Sequence, residues 1–261
     1  MLSIRKPLAL TVVATLIWAG CQTVPETGRR QINLFSTADE TQLGLASFTQ
    51  MKKDVPISKD PKANEQVQRV GRRIAAVANL PGAQWEFVVF DSKEANAFCL
   101  PGGKVGVYTG LLPICRDDAG LATVIGHEVA HAVARHGGER MTEAVGLQLG
   151  GEVASSMVDQ SRLAKYGPIM KSAWGLGTQL GVALPHSRLQ ESEADEIGLL
   201  YMARAGYSPS AAVDFWQRFA EFNRQQGADT PWFLRTHPTD SQRIDRLRAL
   251  QARAQSEFKP Q

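Results

Sequence analysis

Two histidines four residues apart, with a carboxylate beside the first, have the clearest chemical meaning in this chain. They are His127, Glu128 and His131 in the sequence HEVAH. On an α-helix, residues i and i+4 share a face, so both imidazoles can reach one tetrahedral zinc ion. Glu128 would remain free to take a proton from water. The spacing predicts a zinc hydrolase, and two structural core histidines are the alternative.

The surrounding sequence favours a helix. Asp117 and Asp118 offer N-cap oxygens, and residues 121–136 contain no proline and are largely apolar. Gly137 and Gly138 are typical of a helix C-terminus. We therefore predict a buried helix that carries both histidines and ends at the glycine pair.

A third ligand is not found directly after this motif. In the pattern HExxHxxGxxH, Ala134 and Gly137 stand where the glycine and the third histidine are required. His136 falls one residue short, and we interpret it as a cation at the helix C-terminus. The third ligand must come from another part of the chain.

The best candidate lies in the sequence ESEAD, within a predicted helix over residues 187–205. At about 100° per residue, Glu191 and Asp195 share a small, apolar face, whereas Glu193 and Glu196 point away and are interpreted as solvated charges. Burying two carboxylates is costly unless a cation or a hydrogen-bond donor compensates them. We predict Glu191 as the third zinc ligand and Asp195 as the residue that orients a ligand histidine.

With these residues the sequence resembles the gluzincin family of zinc metallopeptidases that contains HtpX, the CaaX prenyl proteases and the mitochondrial Oma-type peptidases. HEVAH and ESEAD are similar to its HExxH and ExxxD pair. The similarity covers about residues 30–250. It extends to Ala97-Phe98 with the following PGGKVGV, to Ala134-Arg135-His136, and to Thr236-His237-Pro238 followed by Arg243.

The resemblance implies an α+β, mostly helical, zincin-like domain with a small sheet or hairpin beside the active-site helix. It implies one Zn²⁺ per chain, and it places His237 near the metal, as an oxyanion stabiliser or as a gate that holds the enzyme inactive. Arg243 would support either role, and a structural His237 is the alternative. An exposed edge strand for substrate is expected at Lys104, Val105, Gly106, Val107, Tyr108 and Thr109, with an ordinary packed hairpin as the alternative.

The remaining elements follow from periodicity and turn residues. A glycine-interrupted apolar segment at residues 166–185 is interpreted as a lid or as a core helix. We predict a strand at 85–90, a hairpin of 96–100 with 104–109, and helices at 36–53, 61–79, 139–157, 209–223 and from 240.

The N-terminal residues have the pattern of a secretion signal, which predicts where the protein is located. Arg5 and Lys6 precede a short apolar run, and Ala19-Gly20-Cys21 resembles a bacterial lipobox, although cleavage without lipidation is the alternative. Gln22 favours the outer membrane by resemblance to lipoprotein sorting patterns. We expect a signal peptide at 1–20, a lipidated tether at 21–35 and a single zinc metallopeptidase domain at 36–261, located in the bacterial periplasm.

Net charge and apolar content limit the classes of partner that are expected. Removing residues 1–20 lowers the formal charge from +3 to +1, so no nucleic acid partner is expected. No later stretch of the sequence approaches eighteen consecutive apolar residues, so a membrane-embedded domain is not expected. Cys99 and Cys115 would form a disulfide or remain two buried thiols.

Together these observations predict a zinc metalloendopeptidase of the bacterial envelope, attached to the membrane by a lipid. The resemblance implies misfolded or unassembled proteins as substrates. The alternative is a latent lipoprotein that acts mainly as a chaperone or assembly adaptor.

Overall fold

The computed structural model describes residues 21–155, 186–225, 233, 236–237 and 242–260, with backbone alone for 146–155. Its strands are β1 (Cys21–Thr23), β2 (Arg30–Ile32), β3 (Glu86–Phe90), β4 (Ala97–Leu100) and β5 (Lys104–Tyr108). Its helices are α1 (Thr37–Asp54), α2 (Pro61–Val77), α3 (Leu112–Cys115), α4 (Asp118–Val133), α5 (His136–Ser155), α6 (Arg188–Arg204), α7 (Ser210–Gln225) and α8 (Arg243–Ser256). The predicted α+β, mostly helical class is confirmed.

Helices α4 and α6 pack closely at the centre of the molecule. A Cβ added to Gly126 would lie 2.9 Å from the carbonyl oxygen of Gly198, and one added to Gly198 would lie 2.8 Å from the backbone nitrogen of His127. Both distances are too short for any side chain. The two glycines therefore let the helix carrying the histidine motif touch the helix carrying the acidic motif.

Side-chain caps fix where these helices begin. Asp117 accepts a hydrogen bond from the backbone N–H of Gly120 at the start of α4. At the start of α6, Ser187 and Gln190 form a reciprocal capping box. Such caps satisfy backbone donors that have no partner within the helix. The predicted starts of both helices are confirmed, with Asp117, one of the two expected N-cap residues, directly before α4.

The end of α4 differs from the prediction. The helix ends at Val133, and Arg135 adopts a left-handed backbone with φ 57°. This conformation is unfavourable for arginine, but the Arg135 guanidinium donates to Glu40 of α1 and to the carbonyl of Phe35. Helix α5 starts at His136, so Gly137 lies in a first helical turn and does not terminate α4.

The three-stranded sheet has the order β3-β5-β4, with β5 parallel to β3 and antiparallel to β4. The predicted hairpin is confirmed, with Gly102 and Gly103 at φ 84° and 81° in its turn. The expectation that residues 104–109 form an exposed edge strand is wrong. Strand β5 is buried throughout, because β4 pairs along one side of it and β3, which is not part of the predicted hairpin, pairs along the other. The edge strand next to the hairpin turn is β4.

Residues 21–32 form a docked hairpin, which we call the N-terminal hairpin, and not an extended tether. Its strands β1 and β2 pair antiparallel. Val24 is buried, and the buried side chain of Gln31 donates to the carbonyl oxygen of Ala134 at 2.8 Å. The packed body therefore begins before residue 36, and the hairpin lies against the junction of α4 and α5.

Three further expectations concern single features. Cys21, Cys99 and Cys115 are all free thiols, so the structure contains no Cys99–Cys115 disulfide. Among the described helices, none has the length and apolar character needed to cross a membrane. The segment interpreted as a lid lies outside the described residues.

Candidate metal centre

Four buried side chains converge where α4 meets α6. Potential ligand atoms of His127, His131, Glu191 and His237 all lie within 4.8 Å of one another. The Nε2 atoms of His127 and His131 are 3.0 Å apart, and Nε2 of His131 lies 3.3 Å from Oε1 of Glu191. The separate motifs that the sequence singled out therefore meet in one place.

His237 belongs to this cluster. Its Nδ1 lies 3.2 Å from Nε2 of His127 and 3.0 Å from Oε1 of Glu191. Its Nε2 lies 3.4 Å from Oε1 of Glu128. The imidazole also stacks on Phe233, with ring centroids 4.4 Å apart. His237 thus stands where a fourth ligand would be and also beside the carboxylate expected to do acid–base work.

Asp195 lies behind His127, with Oδ1 3.0 Å from Nδ1 of that ring. Arg243 donates to the same Oδ1 at 2.6 Å, and its Nη1 lies 3.1 Å from Oε2 of Glu191. The Arg243 guanidinium is only 2% exposed and lies 3.3 Å from the centre of the Trp216 ring. Arg243 is therefore not part of a solvated face of its helix. It compensates the buried carboxylate of Glu191, within the ligand cluster, and that of Asp195, behind it.

His136 and Glu193 also support the cluster, and their sequence interpretations were wrong. His136 is completely buried, with Nδ1 2.7 Å from Nδ1 of His131 and Nε2 2.9 Å from Oε2 of Glu193. His136 is not a cation at the end of α4, because this helix ends at Val133 and the chain turns His136 back towards His131. Glu193 is not a solvated charge, because it is buried and bonded to His136. The sequence Ala134-Arg135-His136 was the signal that could have identified it.

His186 is a further site residue that no sequence motif indicated. Its ring stacks on that of His131 with centroids 3.7 Å apart, and its buried Nδ1 has no hydrogen-bond partner in the part of the chain that the structure describes. Its backbone N–H donates to the carbonyl of Thr236 at 2.9 Å. His186 therefore joins the start of α6 to the segment that carries His237.

Burial and the facing charges set the protonation of the cluster. Burial favours the neutral acid of Glu191, but His237 and His127 outweigh it and hold the pKa of Glu191 well below its usual value. Burial would lower the pKa of His127, yet Glu191 and Asp195 raise it to about 9. Burial holds the pKa of His131 well below its usual value and raises the pKa of Glu128.

The donor set fits a zinc ion. Two imidazoles and one carboxylate are a common set of protein ligands for catalytic zinc, and such sites leave one position for water or substrate. The Oε1 atom of Glu128 is buried and accepts no hydrogen bond from the described residues, so a polar partner is expected beside it. The arrangement is suited to holding a divalent cation next to a free carboxylate.

A cavity of about 70 Å³ adjoins the cluster. Its lining includes strand β4 and the side chains of Glu128, His131, His186 and His237. The edge strand and the ligand cluster therefore line the same cavity.

A mostly helical domain with an HExxH helix, a carboxylate from a second helix and a free glutamate is the architecture of a zinc metallopeptidase. Comparison with known proteins agrees, because residues 61–251 match the model of peptidase family M48. The chain belongs to this family, whose metalloproteases use zinc.

Individual relatives come from mitochondria and from bacteria. The chain is 33% identical over 227 residues to mitochondrial metalloendopeptidase OMA1 of Schizosaccharomyces pombe, covering 86% of this chain and 64% of the relative. It is 37% identical over 173 residues to OMA1 of Saccharomyces cerevisiae, covering 64% and 47%. It is 26% identical over 252 residues to the beta-barrel assembly-enhancing protease of Escherichia coli, covering 92% and 51%. The chain thus spans less than two thirds of the length of these relatives.

Proposed function

We propose that this chain is a zinc-dependent metalloendopeptidase that hydrolyses peptide bonds of unfolded or unassembled proteins. The convergence of His127, His131 and Glu191, with Glu128 beside them and outside the ligand set, is the observation that carries the proposal. Membership of peptidase family M48 supports it. A chain that only bound other proteins would have no use for the Glu128 carboxylate at this position.

His127, His131 and Glu191 would hold the ion. Zinc in such a site acidifies water and polarises a carbonyl group. Glu128 accepts a proton from the attacking water and returns it to the leaving amine. Its raised pKa suits it to both transfers. Asp195 holds the imidazole of His127 through Nδ1, so that Nε2 faces the cluster.

The Glu128→Gln variant tests this assignment. The substitution keeps the shape of the side chain but removes its ability to accept the proton. We expect zinc content equal to that of the wild type and loss of casein cleavage by at least about 100-fold. Removal of zinc from the wild type by a chelator should abolish cleavage, and added zinc should restore it. Undiminished turnover by Glu128→Gln would contradict the mechanism.

We further propose that His237 acts as a gate. Its Nδ1 lies among the ligand atoms, where it would fill the position needed by water or substrate. Its Nε2 faces Glu128, so the same imidazole also covers the proposed base. Movement of the Thr236 segment away from His186 would uncover both groups.

His237→Ala separates the three roles left open by the sequence. A gate predicts faster casein cleavage, an oxyanion stabiliser predicts slower cleavage, and a structural histidine predicts no change in rate. We expect the rate to rise. Zinc content should be measured beside the rate, because three ligands should still retain the ion.

Strand β4 takes the substrate role that the sequence analysis assigned to β5. It lies at the edge of the sheet and lines the cavity beside Glu128 and His131. An edge strand can pair with the main chain of a substrate and makes little demand on its sequence. A peptide substrate whose backbone amides are N-methylated on either side of the cleaved bond should therefore have a higher KM than the unmodified peptide. An unchanged KM would contradict strand pairing.

For location, we propose a periplasmic protein that is lipidated on Cys21 and attached to the outer membrane. The signal-like pattern before Cys21 and the relation to bacterial proteins named beta-barrel assembly-enhancing protease support this. Wild-type protein should partition with membranes, and Cys21→Ser should not.

If the chaperone or adaptor role dominates, Glu128→Gln expressed in cells should retain the wild-type phenotype.

A further inference from the structure

The supports behind the two ligand histidines differ in kind. His127 has a carboxylate directly on Nδ1, whereas His131 has another imidazole there. An imidazole can donate or accept, so it does not by itself decide which nitrogen of His131 carries the proton. A further group must fix the direction of that hydrogen bond.

Glu193 supplies the direction. Its carboxylate accepts hydrogen bonds and cannot donate, so Nε2 of His136, at 2.9 Å, must carry a proton. In a neutral His136 the opposite nitrogen, Nδ1, then has a lone pair. At 2.7 Å it accepts from Nδ1–H of His131. The remaining lone pair of His131 is on Nε2, the atom that faces Glu191 and His127.

Glu193 is itself held by the N-terminal hairpin. Arg29 donates from Nε to Oε2 of Glu193 at 2.6 Å, and Thr27 donates to Oε1. The other Arg29 nitrogens donate to both carboxylate oxygens of Glu139, at 2.6 and 2.9 Å. The Arg29 and Glu193 side chains are only 17% and 4% exposed. Removal of Arg29 would leave two enclosed carboxylates without their cation.

We propose that Arg29, Glu193 and His136 form a positioning chain that fixes His131 as an Nε2 metal ligand, so that the N-terminal hairpin controls metal affinity. None of the three touches substrate, and each acts through the next. The proposal rests on the metal-ligand role proposed for His131. It makes the residues directly after Cys21 part of the metal centre, although they lie more than 100 residues before α6.

The test measures zinc affinity by chelator competition, on the full chain and without reference to proteolysis. Replacing His136 with Leu removes the acceptor, and we expect zinc to bind about 10–100-fold more weakly. His136→Gln should recover most of this loss, because its amide oxygen can accept from His131 while its amide nitrogen donates to Glu193. A purely structural His136 would not distinguish Gln from Leu in zinc affinity.

Arg29→Met tests the hairpin end of the chain, with Arg204→Met as the matched control. Arg204 also forms an ion pair with the N-terminal hairpin, through Glu26 at 3.2 Å, but it does not contact Glu193. We expect Arg29→Met to weaken zinc binding several-fold and Arg204→Met to leave it unchanged. Equal zinc affinities for the two variants would overturn the proposal, whatever their effects on thermal stability. This comparison also decides the matter if His136→Leu does not fold.

His131→Ala distinguishes failure of the positioning chain from failure of the ligand assignment. If His131→Ala binds zinc like the wild type, His131 is not a ligand and the proposed function loses its site. If His131→Ala loses zinc but His136→Leu does not, the metal site stands and the positioning chain is wrong.

Discussion

His127 and His131 lie one turn apart on the same helix, but different sets of residues hold them. His127 is supported by Asp195, whose carboxylate is paired with Arg243 of α8. His131 is supported by His136, from the next helix. The first support is a direct carboxylate within a dense packing of helices. The second passes through an imidazole to the N-terminal hairpin, so one metal centre combines an anchor within the helices with one in residues 21–32.

The largest effect is expected on the buried side. Arg243→Leu leaves the carboxylates of Glu191 and Asp195 without the cation that contacts both. Loss of one partner of a buried ion pair costs about 3–5 kcal/mol, and we expect a loss of this size in the unfolding free energy of the metal-free protein. Zinc should restore part of it by compensating Glu191. Urea unfolding with and without zinc measures both quantities.

Arg243→Lys is the control for this prediction. It keeps the charge but cannot present a planar fork to two carboxylates, so it should fall between Arg243→Leu and the wild type. If Arg243→Leu changed the unfolding free energy by less than about 1 kcal/mol, the buried side would not depend on this cation.

Asp195→Ala sharpens the comparison at the level of the metal. The substitution removes the acceptor for Nδ1–H of His127, and loss of such a partner weakens metal binding about 10–100-fold. The effect should exceed that of Arg29→Met, because Asp195 touches its histidine directly. Glu196→Ala is the control, since this neighbouring carboxylate pairs with the exposed Arg253 instead. Chelator competition gives all three affinities, and a stronger effect from Arg29→Met would reverse the ranking of the two supports.

The two sides also differ in how far the sequence predicts them. Glu191 and Asp195 were predicted because both lie on one helix, where about 3.6 residues per turn place them on one face. The support of His131 was missed because its direction depends on Arg135, whose left-handed backbone is stabilised by Glu40 of another helix. No local pattern encodes such a contact between distant segments.

The sheet gives the same lesson. Turn residues predicted the hairpin of β4 and β5, which are neighbours in sequence. The parallel pairing of β3 with β5 is not set by a tight turn, so the sequence did not indicate which strand would be at the edge. The wrong assignment of the substrate strand follows from that missing contact.

The smallest prediction tests the corrected end of α4 directly. If Gly137 were a helix C-cap with positive φ, Gly137→Ala would be destabilising by about 1 kcal/mol. In the structure Gly137 lies within α5 without a positive φ, and a Cβ added there meets no described atom within 4 Å. We therefore expect Gly137→Ala to stabilise the protein by about 0.5–1 kcal/mol in urea unfolding, with unchanged zinc affinity. A loss of stability would instead indicate that Gly137 terminates α4, and would contradict the turn that brings His136 to His131.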